Sequence, residues 1–195
     1  MRTIGTACIL TAAMAAAAFS AFAEEPQRQL GAHVHGHGRL NIAIEGKKMD
    51  MELEVPGADI VGFEHEPSTA EQRSALAEAK AKLANANVLF APEPKAGCAL
   101  EQAKVTIEAG HEHEHEHEAK SGDSSHEKEQ GGHSEFHAEY AFNCTSPSRI
   151  TSITFDYFKQ FPNGQELDIT VISPKGQSSF EVKRDNPSLD LTGIM

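Results

Sequence analysis

The chain is short of the features that announce an enzyme or a nucleic-acid binder. Basic charge is scarce: 17 Lys and Arg face 29 Asp and Glu. A surface with that balance repels a phosphate backbone and attracts cations. No phosphate-binding loop, dinucleotide fingerprint or Ser-His-Asp context occurs, and the carboxylates are too many and too solvated to single out an acid/base pair. An enzyme is therefore not expected. Long apolar runs are missing beyond the N-terminus, where Ile9 to Ala18 is Ala-rich and Ala21-Phe22-Ala23 gives an A-x-A cleavage site. This segment is too short for a membrane span and reads as a secretory signal peptide over residues 1–23. Residues 24–195 then form one domain, with no stable membrane insertion, and a monomer is expected.

Cysteine is scarce too. Removing Cys8 with the leader leaves Cys98 and Cys144. In an oxidising compartment two cysteines are most simply one disulfide. It would enclose the chain's most unusual stretch, and we expect it to clamp the two roots of that stretch. No thioether cluster or free thiol points to copper(I). With the leader gone, 16 basic residues remain against 29 acidic ones, a formal charge of −13.

What the chain does have is histidine. His111 to Glu118 alternates four imidazoles with four carboxylates, His111, His113, His115 and His117 being the imidazoles, and His126 follows. From Gly110 to Gly132 Ala119 is the sole hydrophobic residue. Such a segment cannot bury enough apolar surface to offset its ordering entropy, and a mobile arm over 110–132 is expected. Its 23 residues would span about 25 Å as a coil. Imidazole nitrogen and carboxylate oxygen are ligands for zinc, nickel and copper(II), and sequence does not choose among them. His111-Glu112-x-x-His115 matches the zincin pattern, but the match is a by-product of strict alternation and implies no protease.

The remainder reads as strands. Val34, Leu40, Ile42 and Ile44 alternate with His33, His35, His37, Arg39, Asn41 and Glu45, which puts three histidines on the outer face of one strand unless Gly36 and Gly38 break the parity. Met49, Met51, Leu53 and Val55 alternate with charged residues in the next strand. An apolar segment ends in Glu64-His65-Glu66, where a His lies between two acids. Ser68-x-x-Glu71 and Thr69-x-x-Gln72 fit capping boxes for a helix running to about Ala86, with Leu76, Ala79, Leu83 and Ala86 as its buried stripe. Val88-Leu89-Phe90 and Cys98 to Glu108 read as strands. After the arm, Phe136, Ala138, Tyr140 and Phe142 form an apolar face, with His133, Glu135, His137 and Glu139 opposite. Strands follow at Ile150 to Phe158, Glu166 to Ile172 and around Phe180 and Val182. The sum is about eight strands and one main helix: a β-dominated α+β fold, mostly antiparallel. Histidine-rich strand starts occur once in each half, the mark of a two-half pseudo-repeat. About 150 ordered residues suffice for a core without metal.

These residues together resemble the zinc-regulated periplasmic protein family (ZrgA-like). The resemblance rests on Gly31 to Gly36 (GAHVHG), Val61 to Pro67 (VGFEHEP), Leu89-Phe90, Ala96-Gly97-Cys98, His133 through Cys144, Phe161-Pro162 and Gly176-Gln177. It implies a periplasmic protein that binds zinc and assists its acquisition, beside a zinc ABC transporter. His33, His35, His65, His133 and His137 fall on the matching stretches, while His37 rests on strand parity alone. With the carboxylates Glu64 and Glu135 these are the expected ligands of one or two folded sites, the arm being a weaker collector. Alternatives are a nickel or copper(II) protein, or a non-catalytic adaptor that docks on a transporter with histidines as pH sensors.

Overall fold

A computed structural model describes residues 34–109 and 133–195. The leader, His33 and the arm histidines His111, His113, His115, His117 and His126 lie outside the described residues.

The strong alternations become strands. β1 (His37–Glu45) and β2 (Lys48–Pro56) form a hairpin whose inward residues Leu40, Ile42, Ile44, Met49, Met51, Leu53 and Val55 are buried. β4 (Cys98–Ala109) and β5 (Ser134–Cys144) pair antiparallel, as do β7 (Glu166–Ser173) and β8 (Gly176–Lys183). These six make one sheet in the order β4-β5-β2-β1-β7-β8. A second sheet of three short strands joins β3 (Phe90–Pro92), β6 (Ser152–Phe155) and β9 (Ser188–Asp190) in the order β3-β6-β9. The fold is β-dominated and mostly antiparallel, as expected, and β1 and β7 supply the one parallel pair among these strand pairs.

The main helix, α2 (Ala70–Ala84), starts at a complete capping box: the Thr69 hydroxyl accepts from the Gln72 N–H while the Gln72 side chain accepts from the Thr69 N–H. Ala79 and Leu83 are buried on it, and Tyr140 of β5 donates from its hydroxyl to the Leu83 carbonyl at 3.0 Å. Phe90 meets Tyr140 and Phe155 edge-on, with centroids 5.6 and 5.7 Å apart, so that the small sheet, the helix and the inner face of the large sheet share one core.

Three local expectations are corrected. The first strand starts at His37, because Gly36 takes a positive φ of 86° and residues 34–37 close a turn in which the His37 N–H donates to the Val34 carbonyl. His35 therefore leaves the strand. The segment after Pro56, for which the sequence predicts no element, opens with a helical turn, α1 (Gly57–Val61). Val88 and Leu89 belong to a second turn, α3 (Ala86–Leu89), with only Phe90 entering a strand, and the strand expected over 150–158 shortens to β6 followed by α4 (Tyr157–Gln160). These pieces are too short for periodicity to separate helix from strand.

The Cys98–Cys144 disulfide is present, 46 positions apart in sequence. It does not clamp the arm's roots. Cys98 and Cys144 face each other at one end of the β4–β5 ladder, and Ala109 and Ser134, the last pair before the arm, lie at the other. The ladder itself holds the roots together.

Candidate metal centre

Topology collects the histidines. β2 runs antiparallel to both β1 and β5, and β7 runs parallel to β1, so β1, β5 and β7 all begin at one end of the sheet. The two histidine-rich strand starts are thus neighbours across β2. Register completes the arrangement. His137 lies opposite Glu54, Glu54 opposite Arg39, and Arg39 opposite Asp168, while Glu108 lies opposite Glu135 and His37 opposite Glu166. Residues directly opposite have Cβ atoms about 4.5–5.5 Å apart, near enough for charged side chains to meet.

Two glycines bring the loops in. The buried Asp59 of α1 sets both carboxylate oxygens 2.8 and 2.9 Å from the Gly36 nitrogen and so anchors the turn that presents His35. Burial raises the Asp59 pKa, and the Gly36 N–H opposes that shift. A Cβ on Gly57 would come within 2.3 Å of the Ser134 hydroxyl oxygen and 2.9 Å of the Phe63 carbonyl oxygen. Its absence lets α1 and the Phe63–Glu64 loop lie against the start of β5.

Glu64 consequently stands between two imidazoles. One carboxylate oxygen is 3.2 Å from His35 Nε2 and the other 2.6 Å from His133 Nδ1. The histidine side chains are 64% and 60% exposed, against 12% for Glu64. Ligands about 2.0–2.2 Å from a tetrahedral zinc lie roughly 3.3 Å from each other. Both imidazoles touch the Glu64 carboxylate, but the three groups are not a set whose ligand atoms all lie within 4.8 Å of one another, so the two exposed rings have to close inward before they share an ion.

A second group lies along β5. His137 Nε2 is 3.0 Å from a Glu135 oxygen and 3.6 Å from a Glu108 oxygen, and its Nδ1 is 3.8 Å from a Glu54 oxygen. Arg39 pairs with Glu54 at 2.9 Å. Glu135 is 2% and His137 6% exposed, although both sit on the strand face opposite Phe136 and Ala138. The hydrogen bond to Glu135 raises the His137 pKa against the opposing effect of burial, and the charges of Glu135, Glu108 and Glu54 add to the rise. In the metal-free protein this histidine stabilises the fold fully below the usual imidazole pKa near ~6.5, and that contribution is lost as pH rises through the higher folded value. The urea midpoint of the metal-free chain should fall between pH 6 and pH 8.5, and His137→Gln should flatten the fall. An equal fall in the variant would assign it to other groups.

The other expected ligands go elsewhere. His37 Nδ1 is 3.6 Å from Glu166. Among the described residues, Glu166, Asp168 and Glu181 form the set of three whose ligand atoms all lie within 4.8 Å of one another. A cation already serves it: Lys183 Nζ is 3.3 Å from Glu166 and 2.6 Å from Glu181. His65 is not brought to the other histidines. Its Nδ1–H donates to the Glu66 carbonyl at 2.9 Å, the Gln72 amide approaches its Nε2 at 3.4 Å, and its ring stacks on Phe63. Sequence reasoning left out Glu54, Glu108 and Asp59. The first two were legible only as polar positions on strands, since the register that aims them at His137 is a long-range property.

No curated protein matches the chain. The description of the ZrgA family zinc uptake protein, by contrast, matches residues 32–191, a span holding the turn with His35, the Glu64 loop and all of β5. That span covers most of the chain, and the chain belongs to the ZrgA family of zinc uptake proteins.

Proposed function

We propose that this chain is a non-catalytic periplasmic protein that captures zinc and assists its uptake. His35, Glu64 and His133 hold the ion, and the His-rich segment 110–132 collects it. The observation that carries the reading is one carboxylate contacting imidazoles from two separate parts of the chain, 2.6 and 3.2 Å away. Zinc is cargo here. Two imidazoles and a carboxylate leave a fourth position for water, and a solvent-exposed site of this kind can load and unload. The segment 110–132 joins the rest of the chain at Ala109 and at His133 itself, so that ions gathered on it are tethered close to the folded ligands. Delivery to a component of a zinc ABC transporter is the role this proximity suits. Cys98 and Cys144 are joined to each other, which leaves nitrogen and oxygen as the donors and favours zinc over copper(I).

Deleting Gly110–Gly132 from the mature chain tests the division of labour. Zinc stoichiometry should fall while the tightest dissociation constant stays within about threefold, a change worth less than ~0.7 kcal/mol. Loss of the tightest site with the segment would refute a folded site.

A further inference from the structure

We infer that the free edge of β4 is a dimer interface, at which residues 103–109 pair antiparallel with the same residues of a second copy about Thr106. This goes beyond zinc capture, does not depend on it, and replaces the expectation of a monomer. β4 ends the six-stranded sheet, so among the described residues no strand pairs with its outer side. Such an edge offers a row of N–H and C=O groups to another strand. β4 is 12 residues long, and its bulge lies between Leu100 and Gln102. From Gln102 to Ala109 its ladder to β5 is regular, and that stretch is fit to pair on its other side. The opposite edge strand, β8, is engaged at its end by a bridge between Lys183 and Asn186.

The sequence of this stretch selects the partner. Residues 103–109 read Ala-Lys-Val-Thr-Ile-Glu-Ala. Turned antiparallel on itself about Thr106, the stretch sets Lys104 opposite the partner's Glu108 and Val105 opposite the partner's Ile107. A two-fold axis makes each of these contacts twice. Opposed residues share a face of the sheet, so the Lys–Glu pairs form on the solvent face and the Val–Ile pairs on the core face. Other centres lose this match. Pairing about Lys104 or about Glu108 sets like charges opposite each other, and pairing about Val105 or Ile107 breaks both Lys–Glu pairs. Neither charge is locked within its own chain. Lys104 Nζ is 3.2 Å from a Glu139 oxygen with both side chains 56% exposed, and Glu108 is 3.6 Å from His137 with its side chain 45% exposed.

The core face gives a second reason. Val105 and Ile107 pack against the core but are only half-buried, whereas Ala138 and Phe136, their ladder partners on β5, are fully buried. A Val–Ile pair from each copy would cover apolar surface that the single chain leaves in water. The axis also falls at the end of the sheet that holds the metal centre. Ala109 is three residues from Thr106, about 10 Å of strand, so the points where residues 110–132 join the two copies flank the axis.

Analytical ultracentrifugation of the full mature chain in EDTA tests the edge apart from any association through metal. Wild type should dimerise with a dissociation constant below about 100 μM. Lys104→Glu and Glu108→Lys each set like charges opposite one another at both Lys–Glu positions, and each should weaken the dimer at least about tenfold. Mixed in equal amounts, the two variants meet with opposite charges at both positions again. The mixture should associate within about threefold of the wild-type affinity. That recovery also guards against misfolding, since an unfolded variant cannot restore the pairing. A wild-type chain still monomeric at about 1 mM would overturn the interface. So would a dimer indifferent to both substitutions, or a mixture that associates no better than either variant alone.

Discussion

Glu64→Gln should weaken the exposed zinc site at least about 100-fold, beyond the 10–100-fold that follows loss of a ligand's outer partner. The amide keeps the shape of the side chain but discards the charge and one acceptor. Both carboxylate oxygens are in use, one toward His35 and one toward His133, so a single substitution loosens both imidazoles. The fold should tolerate it. In the metal-free protein these contacts join a carboxylate to two well-exposed rings, and exposed ion pairs contribute at most about 1 kcal/mol. Glu66→Gln is the matched control, because Glu66 contributes its backbone carbonyl, and not its carboxylate, to His65. Isothermal titration of the two variants should show a large loss for Glu64→Gln and none for Glu66→Gln. Equal affinities would remove Glu64 from the site.

The second large effect is on stability. Replacing Cys98 and Cys144 by Ala opens a covalent loop spanning 46 positions. The chain-entropy relation gives about 4 kcal/mol for a loop of that length. A protein of this size should lose on the order of 10 °C in melting temperature. Zinc affinity should change little while the variant stays folded, because the bridge closes the end of the β4–β5 ladder remote from Ala109 and Ser134. A melting temperature unchanged by the double substitution would mean that the ladder alone constrains this part of the chain. A folded variant unable to bind zinc would mean that strain is transmitted along the whole strand pair.

How legible this protein is from sequence depends on the range of the interaction concerned. Period-2 alternation placed Leu40, Ile42 and Ile44, then Met49, Met51 and Leu53, then Phe136, Ala138 and Tyr140 on the core side, where they are buried. The Thr69–Gln72 capping box fixed the start of the main helix, since its bonds are local. Short segments failed for the opposite reason. Val88 and Leu89, expected in a strand, belong to Ala86–Leu89, which holds barely one helical turn, with Ala86 and Leu89 both buried, and a piece that short shows no period of its own. The same holds at the metal centre. His35, Glu64 and His133 were recognisable as ligand types, but that Glu64 joins the other two follows from β1, β2 and β5 lying side by side. Glu54 and Glu108 acquire their meaning only through register, because shifting β2 by one residue would turn Glu54 away from His137.

The most direct measurement is a crystal of the mature chain loaded with one equivalent of zinc, with anomalous scattering recorded at the zinc edge. The account predicts an ordered peak about 2.0–2.2 Å from Glu64 and from the imidazoles of His35 and His133. A first equivalent found instead among Glu166, Asp168 and Glu181, or giving no ordered peak on the folded domain, would contradict it.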